Sequence, residues 1–325
     1  HTANQPAYHS HFFLRLVETK TRYIQMLPTQ PNIRTVPVQS VFDKKAIASF
    51  RQRALAQGKD GADFLLAHVA KEMADRLSFI DRKFESAAVT SGNQVFLDTA
   101  FLAGTRHEGT AFVHEDPNRR DWISASEEAL PTALTNLDLA LSFLTLHETD
   151  DTPGALVQIR KSLKPDGLFM GVMPAGDTLH ELRECLLATE VEITGGASPR
   201  VYPFADVRAA GSLLQRAGFA LPVVDSETLT VRYKDMFALM RDLRSMGASN
   251  ALLARSKRPA TKELFLRANA LYSERHGAPD GRISATFTFV WMSGWAPSEN
   301  QQKPARRGSA NASLADVLNT IENDG

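Results

Sequence analysis

The chain has 325 residues, with 37 basic and 37 acidic side chains, 43% hydrophobic residues and a single cysteine, Cys185. This apolar fraction excludes global disorder, and the length allows one large domain or two small ones. One cysteine excludes an intrachain disulfide framework and a cysteine-rich metal site, and it fits a reducing compartment. Zero net charge and the lack of any run of about 18 apolar residues predict no nucleic-acid partner and at most peripheral membrane contact.

The domain organisation follows from shifts in composition. The first stretch of the chain is basic, poor in acids and rich in proline, which is compatible with a mitochondrial transit segment or with an upstream extension unrelated to function. We expect residues 1–40 to be a disordered N-terminal extension and residues 41–296 to form one folded domain. Residues 297–325 are polar and contain two prolines, so we expect a mobile tail.

The predicted elements alternate between helices and strands along the domain. Apolar residues at helical spacing predict helices within 60–80, 153–163, 177–190, 204–217, 235–248 and 262–273. Apolar or β-branched runs predict strands near 87–90, 111–114, 138–144, 167–173, 219–224, 227–233 and 282–295. The two runs 219–224 and 227–233 are expected to form an antiparallel edge pair, and Lys-Pro-Asp-Gly at 164–167 predicts a tight turn.

This alternation predicts an α/β fold. The strand 138–144, the helix 153–163, the turn and the strand 167–173 make one βαβ unit, which crosses over right-handed. We therefore expect a doubly wound, mostly parallel sheet with helical insertions, mainly within 176–275, and an antiparallel edge. Such sheets bind ligands beyond the carboxyl ends of their strands.

Polar residues follow three of the predicted strands at that edge. They are Thr90, Ser91 and Gly92 after the first strand, Glu115 and Asp116 after the second, and Ser142 and His147 at the end of the third. Their position makes them the first candidates for a ligand site. Each also has a plain structural explanation, as a solvated loop carboxylate or as a small residue buried in a strand.

Six long stretches carry a family resemblance. They are DFLLAHVAKEMADRL (63–77), LSFLTLHETDDTPGALVQIRKSLKPDGLF (141–169), GDTLHELRECL (176–186), GGASPRVYPFADVRAAGSLLQRAGF (195–219), TVRYKDMFALMRDLRSMGASNAL (230–252) and GWAPSENQQKPARRGSA (294–310). The chain resembles class I S-adenosylmethionine (SAM) methyltransferases. Among these it is similar to the methyltransferase-like assembly factor of respiratory complex I and its alphaproteobacterial relatives, over roughly residues 42–312.

The resemblance implies a SAM-binding fold and a role in complex I assembly, with a complex I subunit as the protein substrate. In the family the proposed modification is arginine hydroxylation, whereas bacterial relatives are described as SAM-dependent methyltransferases. The implied location is the mitochondrial matrix or the matrix face of the inner membrane in a eukaryote, and the cytoplasm in a bacterium. Two alternatives stay open: a catalytically silent scaffold or chaperone for a complex I subunit, and a carboxyl methyltransferase of a small or carrier-bound acid.

The predicted cofactor loop departs from the family pattern. The family has an acidic residue and a glycine-rich turn after its first strand, whereas here Thr90 replaces the acid and Gly92 is followed by no other glycine before Gly104. Glycines let backbone N–H groups approach the cofactor, and the acid binds its charged amino-acid end. Losing one charge-assisted hydrogen bond costs about 1.5–3 kcal/mol, so we expect SAM to bind with a weakened glycine loop. This departure favours the scaffold alternative.

The resemblance also assigns roles to individual residues. Glu115 or Asp116 would accept hydrogen bonds from the ribose hydroxyls, and Glu128 falls where the family has an acid near the adenine. Ser142 would line the floor of the pocket. Solvated surface carboxylates remain the alternative explanation for the acids, and simple burial explains Ser142 equally well.

His147 is the candidate catalytic residue. As the histidine at a predicted sheet end, it would face the transferred group and act as a base, or it would have a capping or supporting role. His114 and Asp116 match half of a non-haem iron site, but a second histidine is not marked by context. The sequence therefore predicts no metal site.

Overall fold

The computed structural model describes residues 39–91, 110–114, 123–124, 128–130 and 134–301, with the backbone alone described for 110–114 and 123–124. Most of the predicted N-terminal extension and tail lies outside these residues, so the predicted domain boundaries stay predictions.

Within the described residues, the helices are α1 (Lys44–Gln57), α2 (Phe64–Ser78), α3 (Thr152–Ser162), α4 (His180–Thr194), α5 (Val207–Ala217), α6 (Met236–Ser245) and α7 (Lys262–His276). The strands are β1 (Ala87–Ser91), β2 (Thr110–His114), β3 (Ile123–Ser124), β4 (Leu137–Phe143), β5 (Leu163–Pro174), β6 (Ala220–Tyr233) and β7 (Ile283–Trp295). They form one sheet of order β3-β2-β1-β4-β5-β7-β6. Strands β1 to β5 run parallel, and β7 is antiparallel to both β5 and β6. The predicted fold class is confirmed.

Side chains of aspartate cap several helices. Asp43 accepts a hydrogen bond from the Ala46 N–H at 3.1 Å and starts α1, and Asp151 accepts one from the Gly154 N–H at 2.8 Å and starts α3. The sequence analysis did not predict α1. Only Ile47 of this helix is buried, so its apolar periodicity is weak.

Helices cover the sheet on both faces, and each face has its own core. One core joins α2, α4, α6 and α7 to alternate residues of the strands, such as Val89, Leu141 and Phe287. The other core joins α3 and α5 to the opposite residues, such as Ala88 and Ala140. The central strand β4 is buried along its whole length, as the apolar run in the sequence predicted.

One local prediction was wrong. The runs 219–224 and 227–233 are not a hairpin pair but one continuous strand, β6, because both halves pair with the long strand β7. The predicted turn at 164–167 lies inside β5, where the register moves from Leu137↔Leu163 directly to Leu139↔Leu168 and Asp166 has φ 64°. Strand β5 therefore has extra residues relative to β4 at this irregularity, and the turn itself stays a prediction.

Beyond the end of β5, the segment 175–181 forms hydrogen bonds with the backbone of β7. The N–H groups of Ala175 and Leu179 donate to the carbonyls of Thr288 and Thr286, both at 2.7 Å. The Thr178 hydroxyl donates to the Thr288 carbonyl at 2.7 Å and accepts from the Thr288 N–H at 3.0 Å. The buried Glu181 carboxylate accepts from the N–H of Thr286 at 3.2 Å. These contacts fix the segment that leads from β5 into α4.

Replacing Thr178 with valine is expected to lower the free energy of unfolding by about 1–3 kcal/mol. Valine has the same shape but leaves the buried Thr288 N–H without its acceptor and removes one of the two donors to the Thr288 carbonyl. Urea denaturation measures the loss. Thr178→Ser keeps the hydroxyl and serves as the control; equal losses in both variants would contradict the assigned role.

Candidate ligand cavity at the carboxyl rim of the sheet

A cavity of about 190 Å³ lies at the carboxyl ends of the central strands. Its wall includes Ser91 at the end of β1, Phe143 at the end of β4 and Pro174 at the end of β5. Parallel strands leave their carboxyl ends at one rim of a sheet, which is where doubly wound folds bind ligands. The cavity therefore occupies the position that the sequence analysis predicted for the site.

Elements outside the sheet close the cavity. They contribute Arg51 from α1, Leu65 and Leu66 from α2, and Asn250 from the loop after α6. The segment between α4 and α5 adds Tyr202 and Phe204, among others. The loop after α6 is held in place because the Tyr202 hydroxyl donates to the Ser249 carbonyl at 3.2 Å and accepts from the Ala251 N–H at 3.1 Å.

His147 is largely buried in the wall of the cavity. Its ring centroid lies 6.2 Å from that of Tyr202 and 5.9 Å from that of Phe204. Its Nδ1 atom is buried and has no hydrogen-bond partner among the described residues. Burial lowers the pKa of His147 to about 4, and the nearby Glu148 carboxylate only partly offsets this effect. The imidazole is therefore neutral near pH 7.

An ion pair joins α1 to the residue that follows His147. The Arg51 guanidinium donates to the Glu148 carboxylate, and both side chains line the cavity and are largely buried. The start of α1 is tied to the same region, because Asp150 accepts from the N–H groups of Val41 and Phe42 at 2.8 and 3.0 Å. Helix α1 thus forms a fixed side of the site.

Arg200 also faces the cavity, but its charge is satisfied. Its Nε and Nη2 atoms donate to the two oxygens of Glu190 at 3.0 and 2.6 Å. Burial raises the pKa of Glu190, but the bonds from Arg200 and Ser198 outweigh burial and lower it below the usual value. The sequence analysis did not identify Arg200 as a cavity residue.

Two leucines in the cavity wall have left-handed backbone conformations. Leu144, directly after β4, has φ 54°, and Leu179, before α4, also has φ 54°. Residues with a Cβ rarely adopt this region, at a cost on the order of 1–3 kcal/mol each. Leu144 directly follows β4 and Leu179 directly precedes α4, and both line the cavity, so this backbone strain lies at the site.

The structure brings some of the predicted site residues together. Ser91 and His147 line the same cavity. Thr90 pairs in register with Ser142 on the neighbouring strand; its hydroxyl donates to the Leu141 carbonyl at 3.3 Å, and the Ser142 hydroxyl lies 3.2 Å from that of Thr145. Their assignments to a cofactor stay predictions.

Gly92, Glu115 and Asp116 lie outside the described residues. Glu128 is described, and its carboxylate accepts from the N–H groups of Asp150 and Asp151 at 2.5 and 2.7 Å and from Lys44 at 2.7 Å. Its proposed place near an adenine is a prediction that these contacts do not test.

The sequence analysis missed Arg51 and Tyr202 as cavity residues. Tyr202 lies within the stretch 195–219 that carries the family resemblance, and this was the available signal. Arg51 had no signal, because helix α1 was not predicted. Cys185 is buried in α4, as expected for an inert thiol, and burial raises its pKa to about 11.

Among the described residues, no helix is long and apolar enough to cross a membrane. In the same part of the chain, no group of three or more histidine, cysteine, aspartate or glutamate side chains is arranged to hold a metal ion.

The sheet order, with its reversed seventh strand, and the cavity at the carboxyl rim define a class I SAM methyltransferase-like fold. No family model matches the chain. It is 38% identical over 269 residues to zebrafish (Danio rerio) arginine-hydroxylase NDUFAF5, mitochondrial, covering 78% of this chain and 82% of that protein. The human protein of the same name is 38% identical over 264 residues, covering 78% and 76%. The chain belongs to this NDUFAF5 family.

The chain is also similar, at lower identity, to a carboxyl methyltransferase of a carrier-bound acid. Malonyl-[acyl-carrier protein] O-methyltransferase of Gallionella capsiferriformans is 28% identical over 277 residues, covering 79% of this chain and 92% of that protein. The resemblance stated from the sequence is thus confirmed at the level of the family.

Proposed function

We propose that this chain is a SAM-binding protein of complex I assembly that modifies a side chain of a complex I subunit. The family membership and the resemblance of its six stretches support the biological role. The cavity at the carboxyl rim, with Ser91 and His147 in its wall, is the observation that supports a ligand-binding function.

The residues of the cavity fit a group such as SAM. Ser91 offers a hydroxyl, and Phe143 and Leu144 offer an apolar surface beside it. The Nδ1 atom of His147 is a buried polar atom with no described partner, which a polar ligand would satisfy. When bound, the cofactor would supply an electrophilic methyl group on a sulfonium; this chain's residues would bind, orient and exclude water.

His147 fits a positioning role better than a catalytic one in this proposal. A general base works best when its pKa is near the operating pH, whereas the pKa of His147 is about 4. A neutral imidazole between Tyr202 and Phe204 can still donate or accept one hydrogen bond and so orient a substrate. We therefore place His147 as an orienting group in the wall.

Calorimetric titration with SAM tests the proposal. Ser91→Ile adds bulk to the cavity wall at the end of β1 and is expected to lower SAM affinity at least about tenfold, or about 1.4 kcal/mol. Ser226→Ile, at an exposed position of β6, is the matched control and is expected to bind like the parent protein. Equal affinity in both variants would place the cofactor elsewhere.

The same titration separates the proposal from a scaffold. The single glycine after β1, Gly92, is the feature that favours a fold that has lost catalysis. An absence of heat at millimolar SAM would leave the scaffold function as the better one. Capture of complex I subunits by the full chain, repeated with Ser91→Ile, then tells whether partner binding depends on the cavity.

A further inference from the structure

A groove on the surface next to the cavity has no role in the proposed function. We call it the Arg183 groove; its members include Arg183, Val41, Pro199, Pro203, Leu252 and Leu253. Two of these apolar side chains stay exposed, Val41 at 40% and Leu253 at 44%. The groove therefore offers an apolar surface that the described part of the chain does not cover.

The charge of the groove is not neutralised. Among its described members Arg183 carries the only charge, and no described carboxylate forms an ion pair with it. Its Nη1 atom donates to the Gly176 carbonyl at 3.5 Å, and Nη2 donates to the carbonyls of Thr178 and Tyr202, both at 3.3 Å. These bonds are long, and carbonyls carry no net charge. A half-buried guanidinium with five N–H donors thus lacks a counter-ion, in contrast to both arginines that line the cavity.

The groove and the cavity share one wall, the segment 199–204. Pro199 and Pro203 line the groove, Arg200 and Tyr202 line the cavity, and the two other residues of the segment line both. Alternate side chains of an extended segment point to opposite sides, which explains this division. A chain that lies in the groove is therefore separated from the cavity by a single layer of backbone.

The charge of Arg183 favours an acidic occupant. A carboxylate matches the planar fork of a guanidinium and balances its single positive charge. The 38 residues that precede Gln39 carry four basic side chains and one acid, Glu18, so they complement Arg183 poorly. The apolar surface around the guanidinium calls for apolar neighbours on each side of the carboxylate. We propose that the Arg183 groove docks a segment of the protein substrate that carries one carboxylate flanked by apolar side chains.

Docking in this groove gives the protein a way to choose its substrate outside the cavity. The inference rests on the proposed function, because the protein substrate supplies the segment. A carboxylate held by Arg183 fixes the register of the bound segment, so one residue at a set distance along it reaches the rim of the cavity. The cavity itself is left to the cofactor and to the side chain that is modified.

Selection of short random peptides displayed on phage tests the groove on the full chain. We expect the enriched peptides to share an aspartate or glutamate with apolar neighbours. A synthetic, fluorescein-labelled copy of such a peptide is compared by anisotropy with the copy that has the corresponding amide. The acidic copy should bind at least about tenfold more tightly. A failure to enrich peptides, or equal binding of the two copies, would overturn the proposal.

Two variants of Leu253 make a matched pair, because both remove the same exposed leucine and differ in the sign of the charge. Leu253→Glu places a like charge beside the docked carboxylate, so the acidic peptide should bind at least about tenfold more weakly than to Leu253→Lys. Leu266→Glu, at a half-exposed leucine of α7 outside the groove, is the control and should bind like the parent protein. Equal binding by the two Leu253 variants would contradict the location.

Replacement of the arginine tests the charge directly. Arg183→Gln should weaken the acidic peptide at least about tenfold and leave the amide copy unchanged, whereas Arg183→Lys keeps the charge and should recover part of the affinity. An unchanged preference for the acidic copy in Arg183→Gln would overturn the assignment. Arg183 also bonds three carbonyls, so the Leu253 pair decides the result if Arg183→Gln does not fold.

Two further arms separate the competing explanations. SAM is titrated on the same samples, and Ser91→Ile should lose SAM affinity but bind the acidic peptide like the parent protein. SAM binding without a preference for acidic peptides would reject this inference and leave the proposed function intact, whereas the reverse result would reject the cofactor and keep the groove. Self-association of the parent protein in sedimentation equilibrium, abolished by Leu253→Glu, would assign the groove to a second copy of this chain and overturn the proposal.

Discussion

Asp138→Ala is expected to lower the free energy of unfolding by about 2–3 kcal/mol. Asp138 lies at the start of the central strand β4 and is buried. One carboxylate oxygen accepts from the Ser86 N–H at 3.0 Å and the Ser86 hydroxyl at 2.9 Å, and the other pairs with Lys164. Alanine would leave the part-buried Ser86 N–H and the partly exposed Lys164 amine without this partner, and would remove a side-chain link between the starts of β1, β4 and β5.

Because these contacts lie at the end of the sheet opposite the cavity, stability should change without a change in SAM affinity of the folded fraction. Urea denaturation measures the first and calorimetry below the transition measures the second. Asp225→Ala is the control, since this exposed strand aspartate pairs with Arg76 at 2.6 Å in a surface ion pair worth at most about 1 kcal/mol. A loss for Asp138→Ala no greater than for the control would contradict the assignment.

Stability should also fall in mild acid because of His147. The pKa of His147 is about 4 in the folded chain but 6.5 without burial. Below pH 6.5 the imidazole is therefore protonated in the unfolded chain but still neutral in the folded chain. The stabilising contribution is therefore complete above pH 6.5 and is lost progressively as the pH falls toward about 4. A shift of this size corresponds to a loss of about 3 kcal/mol.

His147→Gln removes this titration while it keeps a polar side chain. The difference in unfolding free energy between the parent protein and the variant should be constant above pH 6.5 and shift by about 3 kcal/mol against the parent by pH 4. Glu148 and Arg51 face the same ring, so the same pH series in Arg51→Gln checks their influence. Parallel pH profiles for the parent and His147→Gln would show that the histidine is not the source.

The sequence predicted the parts of the fold whose residues carry a strong local pattern. Buried runs located β1, β4 and β7, and helical spacing located α2 and α4 within a few residues. These elements face the core on one side or on both, so their apolar residues recur at the spacing of a helix or a strand or form a continuous run. The strand order depends on tertiary contacts, and the sequence analysis did not predict it.

The failures have physical causes as well. Helix α1 buries little of its own surface and is held by polar contacts with residues about 100 positions away, such as the Arg51–Glu148 pair. Such contacts leave no periodic signal. The strand β6 was split because Asp225 and Ser226 interrupt its alternation, yet β7 provides a template for both halves. The sequence also did not predict the apolar residues that line the cavity, because in the sequence they cannot be distinguished from core residues. Only the tertiary structure brings them together around the cavity.

The continuous course of β6 has a consequence for how the molecule behaves toward other copies and other chains. Among the described residues β6 is an outermost strand, and its 14 residues offer a long edge onto which a foreign strand can add. Pro222 has no N–H to donate, and Asp225 and Arg232 are exposed charges on this strand. These features discourage edge-to-edge aggregation, so replacing them with apolar residues should lower solubility at high concentration.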